Sequence, residues 1–560
     1  MATECVLPLA HEGGRMPASP LLTRLISGST GPTPPPRPAP RPTTTPKVVN
    51  PDPRLVHTVP AVATSVHAPT LPLRTTPAWH LARRAAQAPT AAIVADIERL
   101  GTRAWINQQL DPASIPDTTW DGLVQRCFPW LNLTNKQVQD LTGGGFRGSP
   151  VMAHANAARP LFTHRVLWEN VVTMWGDLLY VPYRSKADSF TLEYDWKVLR
   201  RHAFGRYADL LHAAVTHPAI LNNLDNDVSS RDNPNENLGR EILELYTVGV
   251  GTYTETDVRQ SALMLTGHSV DWGTRDYVYH PGAHHVGPIT VMGFSHANAT
   301  SAGGPTALRA YTDYLARHPA TARRLARVIA TRFVSDTPSD ALVQTLASTY
   351  LASDTAIVPV LRRLFDHPEF WASVGHKWSR PAELAAKAVR ASKPTGYSFA
   401  QPITANPWAM SNYFWFLYQC GHAPRDWPRV DGYPDDADAW RSTIATLSSW
   451  NVMHALAWGW GDGPTYPDEP DQDPGQGLPH WHTALGVKEG DNVLATARRI
   501  TFALTGYVWR DEDIAPIASW LCSYGERPAT AGDTLPDYAA RGWLREAVRL
   551  ILASPYSFLR

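Results

Sequence analysis

Apolar residues recur at intervals of three and four positions along most of the chain after residue 79, and this spacing constrains the fold more than any other feature. Such spacing puts apolar side chains on one face of an α-helix, so it predicts a succession of helices. The segments 158–183 and 305–396 follow it for most of their length. Residues 267–294 instead consist of short, aromatic, β-favouring pieces, which predict a small hairpin. Strand signals are too few for a doubly wound sheet, so the predicted fold class is mainly α, a large multi-helix domain with a small β-hairpin insertion.

The N-terminal part of the chain has a different composition from the rest. Residues 31–78 are rich in proline and threonine, carry five basic residues against one acidic residue, and lack the apolar bulk that a core needs. Such a composition is typical of disordered or polyproline segments. The sequence therefore predicts a disordered Pro-rich arm over residues 1–78 and a single large α-helical domain over residues 79–560.

Bulk properties exclude several classes of protein. The 51 basic and 51 acidic residues balance, so charge gives no indication of binding to nucleic acid or to an anionic membrane. No run of about 18 apolar residues is long enough to span a membrane. Residues 1–30 lack the apolar segment of a secretory signal, so a cytoplasmic location is the default expectation. No C-x-x-C motif occurs among the four cysteines, and no other motif specifies a cofactor or an oligomeric state.

The stretch 233–251 carries signals for both ends of a helix. Asn233 is the predicted N-cap, Pro234 suits the first helical position, and Glu236 completes a capping box. Gly249 and Gly251 are predicted to end the helix. At about 100° per residue one arc of this helix is polar and contains no lysine. Its members are Glu236, Asn237, Arg240, Glu241, Glu244 and Thr247.

Motifs on both sides of this helix extend the pattern through the chain. They are His202-Ala-Phe-Gly205, Leu224-Asp225-Asn226, Asn235-Glu236-Asn237, Arg240-Glu241, Glu244-Leu245, Leu265-Thr266-Gly267, His284, Pro381-Ala-Glu383 and Asp431-Gly-Tyr-Pro434. Together they resemble the bacterial domain-of-unknown-function 1800 family, and the likeness covers roughly residues 79–560. Many relatives in that family carry export signals, and the resemblance implies kinship without naming a reaction.

The sequence departs from the family pattern at several positions. Trp168-Glu169-Asn170 keeps a family motif, but Val171 and Val172 follow where a histidine and a phenylalanine are usual. His285 and Ile289 stand where an aspartate and a lysine are usual, and His268 replaces a tryptophan. A mechanism that requires the missing histidine or lysine is therefore not expected in this chain.

The polar helix arc suggests acid–base chemistry. Glu241 and Glu244 are three positions apart and can share one face of the helix, with Arg240 beside them as an electrostatic partner. The leading hypothesis is a hydrolase or lyase that acts on a polymer such as a polysaccharide, because tryptophans, 21 in this chain, can stack on sugar rings. The groups expected to orient the substrate are Asn235, Glu236, Asn237, Asp225, His202 and His284.

Two other interpretations use the same residues. A metal site would combine Glu241 or Glu244 with His202 or His284, but no paired-histidine or E-x-x-H spacing supports it. A non-catalytic scaffold or binding protein would use Asp225 and its amide neighbours to satisfy the backbone of the 218–235 loop. The sequence leaves these alternatives open.

Overall fold

The computed structural model describes most of the chain from residue 73 onward, namely residues 73–142, 148–397, 402–404, 412–459, 464–465, 479–536 and 542–560. Within these ranges the chain forms 26 α-helices and six short strands, which confirms the prediction of a mainly α fold. The predicted disordered arm lies outside the described residues as far as residue 72. Folded structure starts a few residues before the predicted boundary, because Arg74 bridges to Val508 and the first helix begins at Pro77.

The first half of the described chain is helical up to residue 265, and the segment 158–183, where helical spacing was predicted, belongs to two helices. Between these two helices, the Thr163 hydroxyl and the His164 amide donate hydrogen bonds to the carboxylate of Asp117. Two π-helical segments, Tyr194–Arg200 and Ile242–Tyr246, interrupt the regular helices. The helices are α1 (Pro77–Ala85), α2 (Ala91–Leu100), α3 (Thr102–Gln109), α4 (Thr118–Cys127), α5 (Asn135–Thr142), α6 (Gly148–Phe162), α7 (Val166–Leu178), α8 (Thr191–Glu193), α9 (Tyr207–Val215), α10 (Pro218–Asn223), α11 (Glu236–Glu241) and α12 (Glu255–Leu265).

Short strands follow α12 and form two antiparallel hairpins, so the predicted β insertion is confirmed. In the first hairpin His268 pairs with Tyr279, and in the second Ile289 pairs with His296. The carboxylate of Asp257 in α12 accepts a hydrogen bond from the Met292 amide (2.7 Å), which ties the second hairpin to that helix. The strands are β1 (His268–Asp271), β2 (Asp276–Tyr279), β3 (Ile289–Val291) and β4 (Phe294–His296).

The second half returns to helices, with one further two-stranded pair, β5 (Gly396–Tyr397) and β6 (Pro464–Thr465). Most of the predicted polar loop over 460–481 lies outside the described residues. The helices are α13 (Gly304–Ala316), α14 (Pro319–Phe333), α15 (Asp340–Ala352), α16 (Ile357–Phe365), α17 (Pro368–Ala372), α18 (Pro381–Ala391), α19 (Asn412–Gln419), α20 (Ala437–Trp440), α21 (Thr443–Trp458), α22 (Trp481–Leu485), α23 (Val493–Thr505), α24 (Asp511–Ser523), α25 (Trp543–Leu552) and α26 (Pro555–Phe558).

Buried apolar side chains form two clusters that meet at a charged cavity. The first cluster draws on residues 78–110 and 166–370. The second draws mainly on residues 120–162 and 384–558. Val172 of the first cluster and Tyr413 of the second both line a cavity of about 60 Å³. Because this cavity also contains carboxylates and arginines, the junction of the two cores is polar.

Helix α11 differs from its predicted form at both ends. The backbone at Asn233 pairs with Ser230 in the preceding loop, so the predicted cap at Asn233 is wrong. Asn235 caps the helix instead, because its Oδ1 accepts from the Asn237 amide (2.9 Å). At the other end the helix widens into the π segment 242–246, and the Gly249 amide donates to the Leu243 carbonyl (2.9 Å). The apolar arc is buried as the spacing requires, with Leu238, Ile242 and Leu243 fully inaccessible.

Candidate active site and the buried ionic centre

The two carboxylates proposed from the sequence lie together at the end of α11 and the start of the π segment. Both Glu241 and Glu244 are partly buried. The Tyr253 hydroxyl donates to Glu244 Oε2 (2.6 Å). Burial and the neighbouring Glu244 carboxylate together raise the pKa of Glu241 from 4.5 to about 7, while Arg240 acts in the opposite direction. At neutral pH both the protonated and the ionised form of the Glu241 side chain are therefore populated.

Arg240 is oriented away from the role predicted for it. Its guanidinium forms a two-pronged pair with Glu255 of α12, with Nη1–Oε1 and Nη2–Oε2 distances of 2.8 and 2.7 Å. It also lies 3.7 Å from Glu236, one turn earlier in α11. All three groups contact solvent, because the side chains of Arg240 and Glu255 are 35% and 63% exposed. Arg240 thus joins α11 to α12, and its effect on Glu241 is a lowering of the pKa that is smaller than the effect of burial.

A cavity of about 380 Å³ shares Asp431 with the surroundings of the carboxylate pair, although neither Glu241 nor Glu244 lines it. Its walls come from α7, α14 and the 431–435 segment. Asp431 lines this cavity and is close enough to contribute to the raised pKa of Glu241. Arg324 lines it as well, and a Cβ atom placed on Gly249 would lie 3.1 Å from Arg324 Cδ. The end of the candidate helix therefore adjoins an open cavity with both acidic and basic groups.

The two histidines expected to orient the substrate lie in other surroundings. His284 is fully buried; its Nδ1 lies 2.8 Å from the Thr266 carbonyl and its Nε2 lies 3.0 Å from Asn298 Oδ1. His202 is half-buried and lines a cavity of about 430 Å³ with His212 and other basic groups. Burial and the nearby Arg201 lower the pKa of His202.

The remaining predicted groups belong to the loop before α11. The carboxylate of Asp225 contacts Lys186 at the surface, and Asp225 has a left-handed backbone with a φ of 58°. The next residue, Asn226, is completely buried and donates to the carbonyls of Leu265 (3.1 Å) and His268 (2.8 Å). Asn235 caps α11, as described, and the side chain of Asn237 is exposed. These contacts fix the loop, as the scaffold interpretation requires.

A buried ionic group that the sequence interpretation missed lies in the 60 Å³ cavity. Arg200 donates from Nη1 to Glu169 Oε2 (2.7 Å) and from Nη2 to Glu169 Oε1 (3.0 Å), and its Nε donates to Asp195. All three side chains are at most 6% exposed. Burial alone raises the pKa of Asp195, but the guanidinium groups of Arg200, Arg159 and Arg425 together outweigh burial and lower it.

A second buried ionic group surrounds Glu383 and adjoins the same cavity. Its carboxylate accepts from Arg560 (2.9 and 3.0 Å) and lies 2.9 Å from Arg332 and 3.3 Å from Arg380. Arg380 also donates to Asp177 (2.8 Å). Burial raises the pKa of Glu383, yet the guanidinium groups of Arg560, Arg332 and Arg380 together hold it well below its usual value. One carboxylate therefore joins three elements that are distant in the sequence.

The sequence contains a usable signal for these missed residues. Glu169 stands inside the otherwise apolar run Val-Leu-Trp-Glu-Asn-Val-Val of α7, and Glu383 belongs to the Pro381-Ala-Glu383 motif. A charged residue on the apolar face of a helix requires a buried partner. The partners Arg332 and Arg560 are 51 and 177 positions from Glu383, respectively, so only the fold identifies them.

A metal site at the candidate helix has no geometric support. In the part of the chain that the structure describes, no group of three histidine, cysteine, aspartate or glutamate side chains is arranged to hold a metal ion. Likewise, no helix of the described ranges is long and apolar enough to cross a membrane.

The fold and its charged groups define the class: a mainly helical protein in which two apolar cores meet at buried charged side chains. Glu241 and Glu244 form a partly buried carboxylate pair. More specifically, the chain belongs to the family described as protein of unknown function DUF1800, whose model matches residues 80–559. No curated protein and no solved structure matches the chain.

Proposed function

We propose that the chain is an enzyme of the hydrolase or lyase type that uses Glu241 and Glu244 for acid–base chemistry on a polymer such as a polysaccharide. The observation that carries this proposal is the raised pKa of Glu241, about 7, beside a second carboxylate. A carboxylic acid that keeps its proton near neutral pH can donate it to a leaving-group oxygen.

The environment of the pair supports separate roles for the two carboxylates. Glu244 accepts a hydrogen bond from Tyr253 (2.6 Å), which fixes its orientation. Glu241 has no such donor among the described residues and lies beside Glu244 and Asp431, so its environment favours the protonated form. In the proposed reaction Glu241 donates the proton and Glu244 supplies the negative charge. A cavity of about 380 Å³, lined by Asp431 but by neither Glu241 nor Glu244, has a volume typical of ligand sites.

The test is a screen of the purified chain against polysaccharides and esters, followed by kinetics of Glu241→Gln and Glu244→Gln on the substrate found. Loss of a general acid or base typically lowers turnover by about 10²- to 10⁴-fold. We expect such a loss in both variants with unchanged folding. Turnover by the native chain should fall as the pH rises through about 7, because Glu241 then loses its proton.

Glu98→Gln provides a matched control, since Glu98 is an exposed glutamate on another helix, α2. Its turnover should equal that of the native chain. Full turnover in Glu241→Gln and Glu244→Gln would overturn the assignment of these residues.

The second candidate is a non-catalytic scaffold or binding protein. It is favoured by the hydrogen bonds of the 218–235 loop, in which the buried Asn226 side-chain amide donates to two backbone carbonyls. In that case Glu244→Gln would lower the melting temperature through the lost Tyr253 bond, and no substrate in the screen would be turned over.

A further inference from the structure

A surface groove away from Glu241 combines aromatic faces with unpaired arginines. It has a volume of about 620 Å³ and lies between α4, α6, α7 and the π segment 194–200. Three tryptophans line it: Trp120, Trp168 and Trp196. Trp168 and Trp196 are partly exposed, and the indole of Trp196 is held in place by a hydrogen bond to the Leu133 carbonyl (3.1 Å). Fixed, partly exposed indoles provide stacking faces for flat ligands and sugar rings.

Arg159 is a buried cation that forms no direct ion pair with a carboxylate in the described structure. Its side chain lines the groove and is 7% exposed, yet it forms no ion pair and its Nε has no acceptor. Its guanidinium stacks on Trp120, with Cζ 4.6 Å from the ring centroid. Burial and repulsion from Arg200 lower the pKa of Arg159 to about 10, although attraction by the carboxylates of Glu169, Asp195 and Asp117 partly offsets them. A buried charge of this kind costs folding free energy unless an anion approaches it.

The neighbouring Arg200 has the ion-paired carboxylates that Arg159 lacks. Arg200 is equally buried but is neutralised by Glu169 and Asp195. Asp117, which also lines the groove, accepts from the Thr163 hydroxyl (2.6 Å) and the His164 amide (2.8 Å) rather than from Arg159.

Two more arginines add positive charge without carboxylate partners. Arg201 is exposed at the groove and has no ion pair in the described structure. Arg165 donates from Nε and Nη2 to a single backbone carbonyl, that of Ile115 (3.1 and 3.0 Å). The groove therefore favours an anionic ligand.

Polar groups of the groove narrow the class of ligand. Asp121 and Gln125 are exposed there, and Asn132 lies beside them. Their carboxylate and amide groups can accept from hydroxyls, which a sugar presents in number. A continuous nucleic-acid strand would require a basic track and would be repelled by Asp121.

We propose that this groove binds an acidic sugar unit of a polysaccharide, with the uronate carboxylate on Arg159 and the sugar ring against a tryptophan. An arginine fork matches a carboxylate with two parallel hydrogen bonds. The site lies apart from Glu241 and Glu244 and does not depend on their proposed chemistry.

Calorimetric titration of the full chain with oligogalacturonate tests the proposal, with a neutral cello-oligosaccharide of equal length and a single-stranded oligodeoxynucleotide as comparisons. We expect oligogalacturonate to bind more tightly than either. Arg159→Gln should weaken its binding by about tenfold or more, because a charged hydrogen-bonded pair is lost. Arg201→Gln, at an exposed position, should weaken it less and provides a second variant that folds.

Controls separate binding from folding and from the proposed catalysis. Arg103→Gln removes an exposed arginine of α3 and should bind as the native chain does. Glu241→Gln should also bind normally. The melting temperature of Arg159→Gln should not fall below that of the native chain, since an unpaired buried charge is removed. Equal binding of the neutral sugar, tighter binding of the oligonucleotide, or native affinity in both arginine variants would overturn the proposal.

Discussion

Two groups of charged side chains in this protein contain the same residue types but differ in their contact with water. Around Glu383, three arginines and one carboxylate are at most 4% exposed. At the candidate helix, Arg240 and Glu255 form an equally short pair, yet they are 35% and 63% exposed. Solvent screens the second pair and leaves little net interaction energy, whereas removing one partner of the first leaves uncompensated buried charge. Burial, rather than residue type or distance, therefore separates charged groups that hold the fold from those that contribute little to its stability.

Glu383→Gln should have the largest effect on stability. It leaves Arg332, Arg380 and Arg560 without their shared carboxylate, and breaking a buried pair typically costs about 3–5 kcal/mol. We expect a large fall in the midpoint of urea unfolding, or failure to fold. Glu489→Gln, at an exposed position, is the control and should unfold at the native midpoint. An unchanged midpoint in Glu383→Gln would show that the buried group around Glu383 stabilises the fold no more than the exposed Arg240–Glu255 pair does.

Gly239→Ala tests how tightly the candidate helix packs. A Cβ atom at Gly239 of α11 would lie 2.9 Å from the Ala262 amide nitrogen and 3.1 Å from the Val258 carbonyl oxygen of α12. Overpacking of this kind costs about 1–3 kcal/mol, and the helix preference of alanine returns about 1 kcal/mol. We therefore expect a net loss of up to about 2 kcal/mol in urea unfolding.

Gly282→Ala is the matched control for that substitution. Nothing lies within 4 Å of a Cβ atom built on Gly282, so stability should change by less than about 0.5 kcal/mol. Equal stability of the two variants would show that α11 and α12 separate easily.

The pH dependence of stability should reveal Glu241. Its folded-state pKa of about 7 lies above the ordinary 4.5, so its stabilising contribution is complete below about pH 4.5 and is lost as the pH rises through 7. After allowance for solvent screening of a partly exposed group, the loss is about 1 kcal/mol. Glu241→Gln should remove this component, measured as the difference in unfolding free energy between pH 5 and pH 8. Parallel pH profiles of variant and native chain would contradict the raised pKa.

Glu255→Gln should have the smallest effect. It breaks the two-pronged pair with Arg240, but both groups are exposed and water replaces the lost contacts. We expect no measurable change in the melting temperature. A clear fall would mean that the surface pair couples α11 to α12 more strongly than exposure allows.

Regular spacing made much of the fold predictable, whereas the ends of elements depended on local contacts. The apolar arc of α11 and the hairpins after α12 agree with the sequence patterns. The predicted N-cap lies two residues too early. Asn233 and Asn235 are both suitable N-caps, and Pro234 suits the first turn of a helix that starts at Asn233. Only the pairing of Asn233 with Ser230 decides between them.

The candidate site was predictable in part. Glu241 and Glu244 do lie together, because positions three apart on a helix must share a face. The partner of Arg240 was not predictable, since Glu255 lies on the next helix.

By itself the sequence determined a mainly helical chain, the buried face of its central helix and membership in its family, because these follow from periodicity and from contiguous motifs. The tertiary structure alone decided which charges are buried. Glu383 receives Arg332 and Arg560 from distant segments and Arg380 from the start of its own helix, while Arg159 lies in a groove with no ion-paired carboxylate among the described residues. The reason is physical: the energy of a charge depends on the partners and the water around it, and folding sets both.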